Sequence, residues 1–263
     1  MSDRKGTAVV TGATGGVGAL YAAGLAERGY DLLLAGRQQK TLDVVAEAVK
    51  QRADVKVDTL VANLAEAEDL ARVEARISSD PTITALINNA GTATFGPFAT
   101  LSSGALDETT AVNITALTRL THAVLPGFLV RGAGSIVNIA SVLAFHPWPE
   151  FGVYNASKAY VVSFSQALQG EVAGKGVLVQ VVIPPAVDTD FWNKAGLPVS
   201  NLPVGAVMKP QQLVDAALKG LDRGESWVFP SLPEQAVWDD YQKTRQALVG
   251  GLMNGAVAPR YAA

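Results

Sequence analysis

T-A-V-V-T-G-A-T-G-G-V-G, residues 7 to 18, is the stretch that decides the fold. Thr7 to Thr11 is a short apolar run rich in β-branched residues, which reads as a buried strand. It ends in the glycine-rich loop of residues 12 to 18. Behind the loop, Leu20, Tyr21, Leu25 and Ala26 recur at helical spacing until Gly29 stops the pattern. A glycine loop between a strand and a helix is a phosphate cradle. Gly12 permits a tight turn, while Gly16 and Gly18 let backbone approach a pyrophosphate and let the helix pack on the strand. The free N–H groups of the helix start then face the anion. The spacing is G-x-x-x-G-x-G, which departs from the G-x-G-x-x-G form.

Outward from this unit the pattern repeats. Asp31 to Ala35 is a second buried strand, followed by Gly36 and Arg37. An acid after this strand would hold the ribose 2′-hydroxyl of NAD, but the neighbourhood carries none. Arg37 suits a 2′-phosphate bidentately, so the sequence points to NADP(H) over NAD(H). A helix is expected from Lys40 to Arg52 and a strand from Val55 to Val61. Asn63 is then an acceptable N-cap, with Glu66, Glu68 and Asp69 favouring a helix first turn. A strand over Ile83–Ile87 ends in N-N-A-G, residues 88 to 91. Four βα units in series predict a parallel, doubly wound sheet whose strand ends line a cofactor crevice.

The second half continues it. A long helix is expected from Ser103 to Val130, carrying Asn113 on a mostly apolar face and Pro126 near its end. Strands follow at Gly134–Ala140, Val177–Ile183 and Ser226–Phe229, for seven in all, with helices at Tyr154–Glu171, Pro210–Leu221 and from Pro233 to about Val249. The segment Phe191–Val207 mixes prolines and glycines with apolar residues, which suits a flap over a pocket. No repeat, low-complexity segment or linker interrupts the chain. The expectation is one α/β domain over 1–263, with a flap at about 190–207 and a C-terminal helical extension at about 230–263.

The chemistry concentrates in Ser141 to Lys158, S-V-L-A-F-H-P-W-P-E-F-G-V-Y-N-A-S-K. Tyr154 and Lys158 stand four apart, on one face of a helix. An ammonium beside a phenol favours the phenolate, so the spacing predicts a lowered phenol pKa and a general acid or base near neutral pH. The Ser141 hydroxyl could hold the oxygen that gains or loses the proton. This is carbonyl–alcohol chemistry, given an electron carrier. A Tyr-x-x-x-Lys pair alone is a weak motif, and the upstream glycine loop is what gives it weight.

Composition narrows the alternatives. There is no cysteine, which excludes disulfide and thiolate chemistry, and two histidines, His122 and His146, make a zinc or iron site unexpected. Twenty-four acids against 21 bases, with no basic cluster, give no nucleic-acid footprint and no attraction to anionic membranes. No apolar run reaches membrane-spanning length and the first apolar stretch is too short for a signal peptide, so a cytoplasmic location is expected.

With these residues in place, the chain resembles the short-chain dehydrogenase/reductases in their single-domain form. The matching motifs are T-G-A-T-G-G-V-G at 11–18, N-N-A-G at 88–91, Asn113, Ser141, Tyr154-x-x-x-Lys158 and P-P-A-V-D-T at 184–189. The resemblance implies a Rossmann-like, seven-stranded, mostly parallel sheet with helices on both faces. It makes Tyr154 the proton donor, Lys158 its pKa partner and ribose ligand, and Ser141 the holder of the substrate oxygen. Asn113 would hold a water that relays protons from Lys158. Gly12, Thr14, Gly16, Val17, Gly18, Arg37, Asn63 and Leu64 would bind the cofactor, with Asn89, Ala90 and Gly91 on its adenosine side. Pro184, Val187 and Thr189 would lie by the nicotinamide. Pro185 stands where the family has glycine, and Asn63 where it has aspartate.

Val142, Leu143, Phe145, Trp148 and Phe151 after Ser141, with Phe191 and Trp192 of the flap, suggest an apolar, partly aromatic pocket for a small-molecule carbonyl or alcohol. The expected activity is NADPH-dependent reduction of a hydrophobic ketone or aldehyde. The alternatives are a 3-oxoacyl-carrier-protein reductase and a non-catalytic NADP(H)-binding regulator. The resemblance also implies a homodimer or homotetramer.

Overall fold

Each apolar run of the sequence pairs in parallel with a neighbour. The computed structural model describes residues 4–203 and 205–261, so Val204 of the expected flap and the first three and last two residues lie outside the described residues. In chain order the elements are β1 (Thr7–Thr11), α1 (Gly16–Ala26), β2 (Asp31–Gly36), α2 (Gln39–Lys50), β3 (Val57–Val61), α3 (Ala67–Ser78) and β4 (Ile83–Asn88). Then come α4 (Ser103–Thr110), a π-helical turn (Ala111–Ala116), α5 (Leu117–Arg131), β5 (Gly134–Ile139), α6 (Gly152–Glu171) and β6 (Val177–Val182). The last are β7 (Ala186–Val187), α7 (Phe191–Ala195), β8 (Val207–Met208), α8 (Pro210–Asp222), β9 (Trp227–Val228) and α9 (Gln235–Leu252).

Seven strands form one sheet in the order β3-β2-β1-β4-β5-β6-β9. All six pairings are parallel. The alternation of side chains places Val10, Leu32, Leu34, Ala85 and Ile87 on one face, packed with α1, α2 and α8 through Leu25, Leu42 and Leu213. Val9, Leu33 and Leu86 point to the other face, against Leu70 of α3, Leu120 of α5 and Leu168 of α6. Both faces are covered, which is why the strands read as continuous apolar runs. Strand order reverses between β1 and β4, so a crevice opens beyond their C-terminal ends.

Three expectations are corrected. The single long helix is interrupted: the π-helical turn between α4 and α5 carries Asn113, whose side chain is bonded to the Thr92 backbone. Asn63 caps no helix. Its Oδ1 accepts the Ala65 N–H at 3.3 Å and its own N–H donates to Asp69 at 2.6 Å, and α3 begins only at Ala67, after Glu66. The flap is more regular than its prolines and glycines suggest. It holds α7, and β8 pairs in parallel with β7 through Ala186–Val207 and Val187–Met208.

The chain divides at Pro230 into two compact units. The second, from Ser231, is built on α9, where Trp238 and Tyr241 stack at 5.3 Å. Every candidate site residue falls in the first. Among the described residues no helix is long and apolar enough to cross a membrane.

Candidate active site

The glycine loop leaves β1 and is held from β4. The Thr11 hydroxyl accepts the N–H groups of Asn89 (3.1 Å) and Ala90 (3.0 Å), while the Asn89 side chain donates to the carbonyls of Thr11 (2.9 Å) and Gly12 (3.2 Å). Asn89 thus fixes the loop as well as lining the cleft. Gly12 has φ +65°, and a Cβ there would stand 2.9 Å from the Ala90 Cα. A Cβ at Gly18 would run into the Gly12 carbonyl oxygen. No side chain caps α1, so its first N–H groups stay free for an anion.

In front of this loop lies a cleft of about 470 Å³. All the predicted cofactor residues line it: Gly12, Thr14, Gly16, Val17, Gly18, Arg37, Asn63, Leu64, Asn89, Ala90, Gly91, Pro184, Val187 and Thr189. Ser141, Tyr154 and Lys158 open into the same space, as do Phe191 and Trp192. A glycine cradle at one wall, a cation at Arg37 and a polar triad at the far end fit an elongated dinucleotide with a reacting end.

The triad is positioned by short-range bonds. The Ser141 hydroxyl oxygen accepts the Leu143 N–H at 3.2 Å, which leaves its proton to be donated toward the Tyr154 phenol oxygen. The Val142 N–H donates to the Pro184 carbonyl (3.0 Å), clamping this loop to the segment that leaves β6. Lys158 is buried and donates to the Ile139 carbonyl at 2.7 Å, with Nζ 5.6 Å from the centre of the Tyr154 ring. Burial pushes the Lys158 ammonium down to about 8. Burial also pushes the Tyr154 phenol up to about 12, against a smaller lowering by Ser141. The lowered phenol expected from the four-residue spacing is therefore not what this site shows: desolvation outweighs the lowering by Ser141.

Asn113 does not face the cleft. Its Oδ1 accepts the Thr92 N–H, and its Nδ2 donates to the Thr92 carbonyl and to Ser157, each at 2.9 Å. Both Nδ2 donors are used, so a relay water at this side chain would have to donate to Oδ1, which accepts one N–H and keeps a second lone pair. It ties the loop after β4 to α6 one residue before Lys158.

The expected substrate residues separate into three groups: Phe191 and Trp192 in the cleft, Leu143, Trp148 and Phe151 in the cluster behind it, and Val142 and Phe145 outside. Phe191 and Trp192 reach the cleft, the latter donating from Nε1 to the Val187 carbonyl at 3.0 Å. Phe151 is 1% exposed, which makes it a support rather than a contact surface. Its ring lies 5.0 Å from Phe95, 5.8 Å from Trp148, 5.9 Å from Tyr154 and 6.0 Å from Trp192. Leu143 is buried in the same cluster, while Val142 and Phe145 are exposed outside the cleft lining. Phe95 was not anticipated. It sits on the loop after β4, whose backbone donates to Ala195 of α7 and to Glu150 before α6.

Thr92, Glu108, Asp190 and Lys194 also line the cleft and were missed. Glu108 and Val112 are four apart on the helix leading to Asn113, so one face of that helix held the signal.

A fold, cleft and triad of this kind define a dinucleotide-binding oxidoreductase class. The short chain dehydrogenase family matches residues 6–198, and the chain belongs to it. It is similar to a short-chain dehydrogenase from Sphingobium yanoikuyae in complex with NADPH: 42% identity, TM-score 0.93, covering 97% of this chain and 100% of that one. It is similar to the bulky-bulky ketone specific alcohol dehydrogenase from Comamonas testosteroni, at 38% identity and TM-score 0.89 over 98% of this chain and 99% of that one. It also resembles the very-long-chain 3-oxoacyl-CoA reductase of Anas platyrhynchos, at 34% identity over 92% of this chain and 80% of that protein.

Proposed function

We propose that the protein is an NADPH-dependent reductase of a hydrophobic ketone or aldehyde, run reversibly as an alcohol dehydrogenase. The observation that carries this reading is the meeting of Ser141, Tyr154 and Lys158 in one cleft with the glycine loop and Arg37. When bound, the nicotinamide supplies the hydride. The chain does the rest. Tyr154 gives its phenolic proton to the substrate oxygen, and the Ser141 hydroxyl holds that oxygen as negative charge gathers on it. Lys158 places a titrating ammonium beside the phenol and faces a ribose across the cleft. Arg37 takes the 2′-phosphate, and the N–H groups of the α1 start take the pyrophosphate. Asn113 is a positioning residue that holds Thr92 and Ser157. The reading includes a cytoplasmic enzyme that self-associates.

The likeness to an NADPH complex and to a bulky-ketone dehydrogenase supports both the cofactor and the substrate class. A second reading, a 3-oxoacyl thioester reductase, is supported by the likeness to the duck enzyme. A panel of aryl and long-chain ketones against 3-oxoacyl-CoA and 3-oxoacyl-carrier-protein substrates, with NADPH, separates them. The expected result is a higher kcat/KM on bulky ketones. No turnover on any substrate, with NADPH bound, would leave a binding regulator. In the same assay Arg37→Ala is expected to raise the KM for NADPH by about ten-fold or more while that for NADH moves little, since a charged hydrogen bond contributes about 1.5–3 kcal/mol.

The Trp148–Phe151 segment, which backs the Trp192 side of the cleft, is tied down by one side chain that the sequence does not flag. Asn155 is buried and its Nδ2 donates to the Trp148 carbonyl at 2.7 Å. Two residues on, Glu150 has φ +68°, the one non-glycine in the left-handed region among the described residues. Its carbonyl accepts the Gly96 N–H at 3.1 Å. Such backbone costs about 1–3 kcal/mol and persists only where neighbours hold it. Asn155→Ala releases one tether. The expected outcome is a ketone KM raised about three- to ten-fold, with the NADPH Kd unchanged. An unchanged ketone KM would remove Asn155 from the pocket.

A further inference from the structure

We infer that Glu108 is a cofactor-specificity residue, whose carboxylate competes with the 2′-phosphate of NADPH for Arg37. The inference rests on the NADP(H) reading of the cleft. The Arg37 guanidinium donates from Nη1 to Glu108 Oε1 at 3.2 Å. The two residues are 71 apart in sequence and both line the cleft. Arg37 comes from the loop after β2, beside Asn63 and Leu64 at the end of β3. Glu108 comes from α4, on the wall that also brings Val112. Their ion pair therefore joins two walls at the end of the cleft away from Tyr154.

Both side chains are largely exposed, at 59% and 42%. An ion pair of that kind is weak and screened by salt, so a phosphate with nearly two negative charges can displace it. Arg37 meets Glu108 through one donor, whereas the planar guanidinium can offer a phosphate two parallel donors. The carboxylate must nevertheless give up its partner when the phosphate arrives. NADPH is thus bound at the expense of an existing contact, and NADH is not. A carboxylate here can also accept the 2′-hydroxyl of an unphosphorylated ribose, which is the task of the acid missing after β2. Glu108 supplies that acid from a distant helix and narrows the preference that Arg37 creates.

The test is the Kd of NADPH and of NADH, by quenching of tryptophan fluorescence, for the wild type, Glu108→Gln, Arg37→Ala and the double variant. Glu108→Gln keeps shape and removes charge at an exposed site, and circular dichroism checks that the fold is kept. The expected result is NADPH binding tightened about three- to ten-fold, NADH binding unchanged or slightly weakened, and no tightening in the Arg37→Ala background. The gain should shrink as ionic strength rises, because the screening length falls to about 8 Å at 0.15 M. If Glu108→Gln leaves the NADPH Kd unchanged while Arg37→Ala weakens NADPH selectively, the inference fails and the NADP(H) reading stands. If the tightening is equal in both backgrounds, Glu108 acts by direct repulsion and the competition is overturned. If Arg37→Ala weakens both cofactors equally, the assignment of Arg37 falls, and the inference with it.

Discussion

Replacing Tyr154 by Phe is expected to lower ketone reduction by about 10²- to 10⁴-fold, the range for losing a positioned general acid, while the NADPH Kd stays within about two-fold. The argument is steric as well as chemical. Phenylalanine keeps the ring that packs 5.9 Å from Phe151 and 5.7 Å from Phe191, so the pocket wall survives. What is lost is the hydroxyl that Ser141 addresses. In the wild type, burial pushes the phenol up to about 12, so it carries its proton throughout the neutral range, as a donor to a carbonyl must. Ketone reduction should accordingly be flat from about pH 6 to pH 7, below the titration of Lys158 at about 8. Alcohol oxidation, which needs the phenol to accept a proton, should rise toward alkaline pH. Turnover retained in Tyr154→Phe, measured under single-turnover conditions with saturating NADPH, would remove the tyrosine from the proton path.

Much of this site was legible because its parts are local. The strand, glycine loop and helix of residues 7 to 26 lie consecutively, and the central strands β1, β2 and β4 are buried on both faces, so pattern places the middle of the sheet. Tyr154 and Lys158 share a helix, and their spacing put them together. The direction of the phenol's pKa could not be read in the same way. Spacing reports a neighbouring charge but carries nothing about desolvation, and at Tyr154 desolvation is the larger effect. Long-range pairings were equally hidden. Asn113, on the π-helical turn, is bonded to Thr92, 21 residues away, and the Glu108–Arg37 contact joins residues 71 apart. Asn63 fails as a cap because α3 begins only at Ala67, so its Oδ1 meets the Ala65 N–H in a turn before the helix. Phe151 looked like pocket lining because an aromatic beside a catalytic helix can face either way, and only packing against Phe95 and Trp192 decides.

Lys158→Met should abolish most activity and yet stabilise the folded protein at neutral pH. The lysine is buried, with one recorded hydrogen bond, to Ile139, and burial lowers its pKa from 10.5 to about 8. The sign follows from proton binding. Below pH 8 the lysine is charged in both states, so the cost of burying the ammonium is fully present. Between pH 8 and about 10.4 the unfolded chain holds the proton more than the native one does, so wild-type stability rises with pH. At about 1.4 kcal/mol per unit, the shift corresponds to roughly 3 kcal/mol at most. Methionine removes that cost but leaves the Ile139 carbonyl without its donor, which returns about 1 kcal/mol or more. The net gain at pH 7 is about 1–2 kcal/mol, or about 2–8 °C in Tm for a chain of this size. Tyr154 acts in the opposite sense, its stabilising share being lost only as pH rises from 10 toward 12, and it is common to both proteins. The decisive readout is therefore the difference in Tm between variant and wild type. It should favour Lys158→Met at pH 7 and shrink or reverse by pH 10. A difference that does not change with pH would mean that Lys158 keeps an ordinary pKa in the fold, and the polar site would then be better solvated than its burial implies.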